Sequence, residues 1–599
     1  MPSYDNTGSS IAMNSEEIRG KFIDFFIKRG HRQIPSARLL SEDPTLLFVS
    51  AGMVPLKPYI LGAASPPSKR LVNCQKSFRT VDMEKVGTND RSLTFFEMLG
   101  NWSIGDYWKK ETINYAWEFL IKELKINPSK LWVTIFKGDN EISFDEETKR
   151  IWLEKGIGAE KIVSLGRDDN FWIAGDAGPC GPCTEIYYDR GKRRGERVGC
   201  KDKNCKPGCE CDRFLEIWNL VFMEYNKTPD GSYEKLALRT VDTGAGLERL
   251  ALVVQNVENV FETDIFQPLM LKINDLAPNL EEKAKKILAD HLRASIFLIA
   301  DSVRPSNKEA GYVLRRLLRR ILAYQIKYDI HADLFPGNVE IIKEKFGKIY
   351  PEVKETKIIL EVLEEERQKF QEAIAQGMRK IDELNQKSVQ LTGQLAFDLY
   401  QTYGLPLEIS QELIRNKTAH FKQDFDKEFE KHQEISRAGA EKKFGGHGLL
   451  LNTGELKVIR LHTATHLLHW ALREVLDGDV RQMGSDINSE RLRFDFSFNR
   501  KMTSEEVKKI ENLVNQKIKE DLPVYFKEMP KVEAEKTGAL HFFKQKYPEI
   551  VKVYFIGPIS AEFCAGPHVE KTSEIGEFKI LKEEALGAGL RRIRAEIEF

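Results

Sequence analysis

The sequence predicts an α+β protein with several domains, and three observations support this. The chain has 599 residues, too many for one hydrophobic core, so roughly three to five domains are expected. Residues 1–255 mix an amphipathic helix with short β-rich runs and turn clusters, which is typical of helices around an antiparallel sheet. Residues 256–440 are almost all helical in pattern, and β-rich segments return in 441–599 around one strong helix. We therefore predict three domains with these bounds.

The first zone begins with an amphipathic helix and continues with short strands. The helix is predicted from Ile18, Phe22, Phe25 and Phe26, which share one face at helical spacing. The predicted strands are Thr45–Ser50, Leu71–Phe78 and Leu93–Leu99, and turn clusters are expected at Ser65–Ser68 and Ala177–Pro182.

The second zone contains a helix at 310–328 that has both an apolar stripe and four arginines. Arg315, Arg316, Arg319 and Arg320 interleave with the leucines of this stripe. Two interpretations stay open, a solvated charged face and a phosphate-binding face. The highly charged stretches at 352–388 and 417–443 are expected to form bundle or connector helices, and 445–448 a linker or turn. In the third zone the strong helix is predicted at Leu461–Leu476.

Composition limits the class of protein only weakly. Lys+Arg and Asp+Glu number 91 each, so net charge gives no argument for or against a nucleic-acid partner. The first seventeen residues lack a signal pattern, and no apolar run approaches the roughly 18 residues of a membrane span. The chain has 8 cysteines, which in such a setting indicate reduced thiols or metal ligands. We expect a cytosolic protein without a membrane segment.

Several motifs resemble the class II aminoacyl-tRNA synthetases. Residues 71–107 read LVNCQKSFR and, after a polar stretch, RSLTFFEMLGNWSIGDY, similar to motif 2 of that class. LRTVDTGAGLERLA at 238–251 resembles motif 3, and LLFVSAGMVPLKPYILG at 46–62 resembles motif 1. FFEMLGNWSIGDY, GDAGPCGPCTEI, FLEIWNLVFMEY and VDTGAGLER together resemble the alanyl-tRNA synthetase family, from about residue 16 to the C-terminus.

The resemblance implies a fold and an activity. It implies an antiparallel-sheet catalytic domain, a helical tRNA-recognition domain and an α+β, zinc-dependent editing domain. The implied reaction joins L-alanine to tRNA(Ala) through an adenylate, with ATP and Mg²⁺. Because the adenylate forms by carboxylate attack on a phosphate, positioning and charge stabilisation dominate catalysis. The resemblance assigns Arg79 to the α-phosphate, Arg249 to the terminal phosphate, Arg91 to phosphate from its loop, Phe95 to stacking under adenine, and Glu97 to positioning nucleotide or metal.

Asp242 is the candidate for binding the ammonium group of alanine. It precedes Thr-Gly-Ala-Gly, whose glycines permit close approach of backbone to a ligand. The alternative is an N-cap or turn aspartate. By resemblance, the alanine pocket comprises Trp172, Asn219, Val221, Asp242 and Gly244.

A second constellation predicts a zinc site. His462 and His466 lie four residues apart on one helix face, and CAGPH supplies Cys564 and His568. Three imidazoles and one thiolate suit tetrahedral Zn²⁺, whereas His469 is expected to be a satisfied core residue. The pattern resembles the editing domain of alanyl- and threonyl-tRNA synthetases, although that family usually has CGGTH. Gln482 matches a family position near the substrate ester.

The chemistry of discrimination explains why a hydrolytic site is expected. A missing methylene is worth only about 1–3 kcal/mol, so a pocket for alanine rejects glycine poorly, and serine adds only one hydroxyl. The second site would hydrolyse Ser-tRNA and Gly-tRNA. Zinc could activate water or orient the ester, and both remain open.

Two further cysteine groups need an interpretation. Cys180-Gly-Pro-Cys183 spells a redox motif, but its prolines predict a turn, and the family carries this loop beside the active site. A second cluster lies in a Lys/Gly-rich insertion and comprises Cys200, Cys205, Cys209 and Cys211. It could bind a second zinc, or it could be a flexible loop with incidental thiols.

The family reads a G·U pair in the tRNA acceptor stem, usually through an Asn and an Asp. Here the resemblance points to Asn307, with Gln401 at the position of the usual Asp, and to phosphate contacts from Arg315 and Arg316. The chain ends at Phe599, where the family commonly continues, so we expect a short form that is a monomer or weak dimer.

Two other functions compete with this interpretation. One is a stand-alone hydrolase of mischarged tRNA with an inactive synthetase fold, against which Arg79, Arg249 and Asp242 argue. The other is a non-enzymatic RNA-binding scaffold, which would need neither constellation.

Overall fold

The computed structural model describes residues 13–43, 46–175, 177–191, 200, 204–209, 211–228, 230–414, 416–429, 453–476, 480–487, 491–498, 500–540, 550–564, 566–587 and 590–598. These residues fall into two compact units, which divide between Phe425 and Asp426. The predicted linker at 445–448 and the end of the charged stretch at 417–443 lie outside the described residues.

The first unit is built on one sheet, in which the described residues form nine strands. The strands are β1 (Arg32–Gln33), β2 (Arg70–Phe78), β3 (Phe95–Ile104), β4 (Leu131–Phe136), β5 (Ile162–Leu165), β6 (Phe171–Ile173), β7 (Gly178–Asp189), β8 (Phe214–Lys227) and β9 (Tyr233–Gly246). Their order is β1-β2-β3-β9-β8-β7-β4-β5, with β6 beside β7. The central pairs from β2 to β4 are antiparallel, and only the outer pairs β1–β2 and β4–β5 are parallel. The antiparallel α+β class predicted from the sequence is confirmed.

Helices surround this sheet and then form a layer of their own. They are α1 (Ser15–Ile27), α2 (Lys57–Ile60), α3 (Lys109–Glu118), α4 (Glu146–Glu154), α5 (Arg167–Asn170), α6 (Leu247–Val254), α7 (Gln267–Leu276), α8 (Glu282–Ala300), α9 (Glu309–Lys327), α10 (Phe335–Phe346), α11 (Thr356–Gln386), α12 (Gly393–Tyr403) and α13 (Leu407–Leu413). Helix α1 begins at a capping box formed by Asn14 and Glu17. It buries Phe22 and Phe26 completely, so the predicted N-terminal helix is confirmed.

The two faces of the sheet have different roles. Side chains alternate between the faces along a strand, and on β3 Trp102 donates a hydrogen bond to Asp242 on one face. We call this the site face. The opposite face, the helix face, carries Glu97, which accepts hydrogen bonds from Arg19 of α1.

Bulges interrupt the alternation in β7 and β8. The β7–β8 register shifts between Cys180 and Cys183, and again where Ile186 pairs with Trp218 but Tyr187 pairs with Glu216. Ile217 is therefore an extra residue in β8, and it moves Glu216 to the face opposite Trp218. The turn predicted at Ala177–Pro182 is wrong in part, because residues from Gly178 onward are this bulged strand.

One predicted strand does not form. The runs Leu71–Phe78 and Leu93–Leu99 correspond to β2 and β3, whereas residues 46–50 make only an isolated bridge between Leu40 and Phe48. The apolar character of this run has another cause, because Phe48 packs its ring against Phe78 at 4.5 Å. A buried loop and a short strand have the same local composition here.

The arginines of α9 hold the helical layer together. Both interpretations of this face, solvated and phosphate-binding, are wrong for Arg315, Arg319 and Arg320, whose residues are 7%, 9% and 3% exposed. The reason is that α8 and α11 cover the helix on both sides. The arginines bond to Glu366 (Arg315), Glu408 (Arg316), the Gly404 carbonyl (Arg319) and the Met83 carbonyl (Arg320).

The second unit combines helices with two small sheets. Its helices are α14 (Thr453–Val475), α15 (Ser504–Lys519) and α16 (Lys531–Lys536). Its strands are β10 (Gln482–Ile487), β11 (Leu492–Ser497), β12 (Val524–Pro530), β13 (Ile550–Ile556), β14 (Ser560–Phe563), β15 (Glu577–Gly587) and β16 (Leu590–Glu598). They form the sheets β10-β11-β16-β15 and β12-β13-β14. Leu468 of α14 and Phe494 of β11 belong to the same buried core, and the helix predicted at Leu461–Leu476 is confirmed.

No helix in the described part of the chain is long and apolar enough to cross a membrane.

The boundary predicted between residues 255 and 256 lies inside the first compact unit. The three-domain division therefore stays a prediction.

Candidate active site and metal centres

Asp242 lies at the centre of the site face. Its Cα partners are Trp102 on β3 and Val221 on β8. Trp102 Nε1 donates to Asp242 Oδ1 at 2.7 Å, and burial raises the pKa of Asp242 to about 7, against the effect of this hydrogen bond. Because Asp242 lies within β9, the alternative of an N-cap or turn aspartate is wrong. A buried carboxylate of this kind favours a cationic partner.

The other predicted alanine-binding residues share this face. Val221 belongs to the same apolar cluster as Trp102, and Trp172 packs against it. Gly244 is the Cα partner of Asn219, so these two residues are on the same face as Asp242. A Cβ at Gly244 would lie 2.8 Å from Met98 Sδ. Any side chain at Gly244 would therefore crowd Met98, so the backbone opposite Asn219 has to be glycine.

Arg79 and Arg249 lie near each other, with the carboxylate of Glu216 close to both. Arg249 Nη1 donates to Glu216 Oε2 at 2.7 Å and to the Glu216 carbonyl at 3.1 Å. Burial lowers the pKa of Arg79, Glu216 opposes that, and the charge of Arg249 lowers it further. Arg79 Nε donates to the Ser50 carbonyl at 3.1 Å, and its guanidinium lies 5.0 Å from the Phe96 ring centroid. Two adjacent guanidinium groups suit the phosphates of a nucleotide.

Two carboxylates that sequence reasoning missed face the same space. Glu185 Oε1 accepts from Asn219 Nδ2 at 3.1 Å, and its Oε2 accepts from Tyr187 at 2.6 Å. Burial and then the charge of Glu216 raise the pKa of Glu185 to about 8. Paired carboxylate oxygens are the ligands that Mg²⁺ prefers. The sequence carries the signal in CTEIYY and LEIWN, but only the bulge at Ile217 places Glu216 with Asn219.

The structure corrects the roles expected of Phe95 and Glu97. Phe95 is 1% exposed and stacks on Phe297 at 4.2 Å, so it is unavailable to adenine. Glu97 is fully buried in bonds with Arg19 and others. Both lie on the helix face, because odd-numbered positions of β3 point away from Trp102. Phe96, by contrast, lies on the site face, where its ring is next to the guanidinium of Arg79.

Arg91 is held in the loop between β2 and β3. Its Nη1 donates to Asp212 Oδ1 at 2.5 Å, and its side chain is 25% exposed. The guanidinium group therefore has an anchor and still reaches solvent.

The residues predicted to contact tRNA differ in exposure. Asn307 and Gln401 are exposed, on the loop before α9 and on α12. Arg315 is buried and donates to Asn307 Oδ1 and to Glu366, and Arg316 pairs with Glu84 and Glu408. Phosphate contacts from Arg315 are thus a wrong expectation, since intramolecular carboxylates and amides already occupy its donors. Arg316 is also committed to carboxylates, as the packing of α9 requires.

Cys180 and Cys183 do not form a reactive redox pair. They are 0% and 1% exposed in the bulged strand, and burial raises the pKa of Cys180 to about 11. A Cβ at Gly181 would lie 1.9 Å from the Phe222 carbonyl oxygen, so this glycine permits the bulge. The motif serves close strand packing.

The four predicted zinc ligands converge in the second unit. One ligand atom from each of His462, His466, Cys564 and His568 lies within 4.8 Å of the others. Cys564 Sγ lies 3.3 Å from His462 Nε2 and 3.3 Å from His568 Nε2. Burial opposes ionisation of Cys564, but the surrounding histidines lower the pKa of this thiol to about 2. A thiolate among imidazoles is the donor set that Zn²⁺ prefers.

Each of the three histidines has a partner for its other ring nitrogen. His462 Nδ1 donates to the Pro567 carbonyl at 3.3 Å. His466 Nδ1 donates to Glu562 Oε2 at 2.7 Å, and His568 Nδ1 bonds to Thr463 Oγ1 at 3.1 Å. The buried His466 Nε2 has no hydrogen-bond partner. This is expected of a ring nitrogen whose lone pair binds a metal ion. Such outer partners fix ligand orientation, so the residues fit a zinc ion.

The unusual CAGPH sequence is compatible with this cluster. A Cβ at Gly566 would lie 2.2 Å from His462 Cε1, so glycine is needed there, and Pro567 contributes its carbonyl. His469 bonds to Glu562 at 3.0 Å and to the Val480 carbonyl, which confirms that it is a satisfied core residue. Gln482 begins β10 and donates to Ser485 at 3.0 Å. Its role at the ester stays a prediction.

The second cysteine cluster also converges. The sulfur atoms of Cys200, Cys205, Cys209 and Cys211 lie within 4.8 Å of one another. Burial and the neighbouring thiols raise the pKa of Cys205. The cluster is therefore a second place that could hold a metal.

Comparison with known proteins agrees with this geometry. Residues 17–474 match the family of class II (A) tRNA synthetases, and residues 551–594 match the threonyl and alanyl tRNA synthetase second additional domain. An alanine–tRNA ligase from Treponema pallidum is 43% identical over 98% of this chain and 99% of its own length. The one from Treponema denticola is 44% identical over 97% and 99%. One from a Thermotoga species is 38% identical over 98% of this chain and 80% of its own length.

These matches cover both units, and Arg79, Arg249 and Asp242 stand directly after β2, on α6 and in β9 respectively. The chain belongs to the class II tRNA synthetases, in the family whose curated relatives are alanine–tRNA ligases.

Proposed function

We propose that this protein activates L-alanine with ATP to alanyl-adenylate, transfers alanine to tRNA(Ala) and hydrolyses Ser- and Gly-mischarged tRNA(Ala). The observation that carries the first part is the buried Asp242, which accepts from Trp102 and lies on the same face as Gly244. The ammonium of alanine would pair with Asp242, and the methyl group would meet Val221 and Trp172. Such a pocket discriminates only weakly against glycine and serine, which differ from alanine by one small group, so hydrolytic editing is needed.

The adenylation step follows from the arginine pair. Arg79 would hold the α-phosphate while the alanine carboxylate attacks it, and Arg249 would hold the terminal phosphate of the leaving pyrophosphate. Glu216 pairs with Arg249 at 2.7 Å. Glu185 and Glu216 would hold Mg²⁺, which neutralises phosphate charge when bound. Phe96 replaces Phe95 as the residue proposed to stack on adenine.

The recognition of tRNA would use Asn307. Because its Oδ1 accepts from Arg315, its Nδ2 group is the part of the amide that remains to donate to a base. Gln401, exposed on α12, would contribute a donor and an acceptor. A monomer or weak dimer remains our expectation for the assembly.

The editing reaction would take place at the cluster of His462, His466, Cys564 and His568. Zinc bound there would supply charge to activate water or to orient the ester. The residues of this chain hold the ligands in place: Glu562 orients His466, and Thr463 bonds to His568. Gln482 is proposed to lie near the ester.

The test is ATP–pyrophosphate exchange with alanine, serine, glycine and threonine, followed by deacylation of Ser-tRNA(Ala). We expect fast exchange with alanine and slower exchange with serine and glycine. Arg79→Ala should abolish exchange and leave deacylation intact, and Cys564→Ala should do the reverse. Deacylation without exchange by any amino acid would instead support the stand-alone hydrolase.

A further inference from the structure

The four cysteines between β7 and β8 have the geometry of a metal site. Cys200 and Cys209 place their sulfur atoms 3.8 Å apart, and Cys205 and Cys211 place theirs 3.4 Å apart. Zn–S bonds of about 2.3 Å in a tetrahedron put sulfur atoms about 3.8 Å apart. A disulfide needs about 2.05 Å, so the thiols are arranged for an ion.

The ends of this connection are fixed to each other. Arg213, the residue directly before β8, donates to both carboxylate oxygens of Asp189, each at 2.9 Å. Arg190 Nη1 donates to the Asp212 carbonyl at 3.1 Å. Between these ends, the described residues 200, 204–209 and 211–213 form no helix or strand. A bound ion would replace the missing ladder of backbone hydrogen bonds.

The same connection holds the loop between β2 and β3. Asp212 directly follows Cys211 and accepts from Arg91 at 2.5 Å. Arg190 Nη1 also donates to Asp90 at 3.0 Å. Two neighbouring residues of the β2–β3 loop are thus bonded to two residues at the base of the cysteine connection.

We propose that Cys200, Cys205, Cys209 and Cys211 bind a structural zinc ion that holds Asp212, and through it Arg91, in the nucleotide site. Asp212 is a positioning residue: it is 7% exposed and fixes the direction from which Arg91 approaches phosphate. A thiolate at Cys211 bound to zinc fixes the backbone next to Asp212. The catalytic consequence rests on the proposed function, whereas the metal site itself does not.

The test compares Cys205→Ser with Lys206→Ser, a neighbouring exposed position that the proposal leaves outside the site. Zinc is counted by elemental analysis of the purified full chain. We expect two zinc ions per chain in the wild type and in Lys206→Ser, and one in Cys205→Ser. Substitution with cobalt should give sulfur-to-cobalt absorption that Cys205→Ser greatly weakens and Cys564→Ala largely retains, because four of the five thiolates in the two clusters belong to the Cys200–Cys211 site and only one to the other.

Kinetics test the link to Arg91. In ATP–pyrophosphate exchange, the KM for ATP should rise about tenfold in Cys205→Ser, equivalent to ~1.4 kcal/mol, with the KM for alanine little changed. Asp212→Asn should raise the KM for ATP similarly while keeping both zinc ions, which separates positioning from loss of folding. Unchanged zinc content in Cys205→Ser would overturn the site. Loss of zinc with an unchanged KM for ATP would overturn the link. Absence of exchange in the wild type would instead contradict the proposed function.

Discussion

Replacing Asp242 by asparagine separates two effects of its charge: the effect on the stability of the fold and the effect on alanine binding. Asn keeps an oxygen that accepts from Trp102 Nε1 and removes the charge. The substitution therefore leaves the 2.7 Å hydrogen bond available and changes only the electrostatics of the pocket.

The magnitude follows from the pKa of Asp242. Burial raises this pKa from 3.8 to about 7, so the folded state binds the proton more tightly than the unfolded chain. At about 1.36 kcal/mol for each pKa unit, ionisation makes the folded state less stable by up to ~4 kcal/mol, before relaxation and water entry reduce this figure. The stability is fully present below about pH 4 and is lost as the pH rises to about 7.

Thermal unfolding measures the effect of the Asp242 charge on stability, and ATP–pyrophosphate exchange measures its effect on alanine binding. Asp242→Asn should unfold at a higher temperature than the wild type at pH 8 and at the same temperature near pH 4. Its KM for alanine should rise roughly 10- to 150-fold, because a charge-assisted hydrogen bond is worth about 1.5–3 kcal/mol. Asp275→Asn, an exposed position on α7, should change neither. An unchanged KM for alanine in Asp242→Asn would refute the ammonium assignment.

Three further substitutions test the remaining parts of the site. Gly244→Ala places a Cβ 2.8 Å from Met98 Sδ, so exchange with alanine should fall more than exchange with glycine. The control is Gly20→Ala, where a Cβ would have nothing within 4 Å. Equal losses of exchange with alanine and with glycine in Gly244→Ala would count against the proposed alanine pocket. Arg249→Ala should reduce exchange by about 10² or more, since an oxyanion donor is worth that much, while deacylation persists; parallel loss of both activities would contradict two separate sites. Glu562→Gln should weaken zinc binding about 10- to 100-fold in chelator competition without affecting exchange, and unaltered affinity would remove its orienting role.

The sequence predicts which residue types meet better than it predicts the face they share. Short runs rich in apolar residues between polar stretches locate β2 and β3, and Asp242 follows from its glycine-rich context. The two adjacent phenylalanines at 95 and 96 are indistinguishable by composition. Only the pairing of β3 with β9, which sets Trp102 opposite Asp242, decides that Phe95 and Glu97 face the helices.

The burial of charged residues on helices was harder to predict. The arginines of α9 are expected on the surface because arginine is usually exposed. They are instead bonded to Glu366 and to the Gly404 carbonyl, which belong to distant parts of the chain. Local periodicity contains no information about such partners. The convergence of His462, His466, Cys564 and His568 was predictable, since helical spacing puts the first two on one face and the CAGPH segment contains the other two.

The extra residue in β8, Ile217, decides which face of the sheet the side chains on either side of it occupy. Upstream of Ile217, Glu216 points toward Arg249, and downstream, Trp218 points into the aromatic core with Phe22. Deleting Ile217 would leave the other side chains chemically intact and yet exchange the environments of one segment, either burying the Glu216 carboxylate among rings or moving the Trp218 indole to the site face. A single-residue deletion at this position would therefore be far more harmful than most substitutions in the same strand.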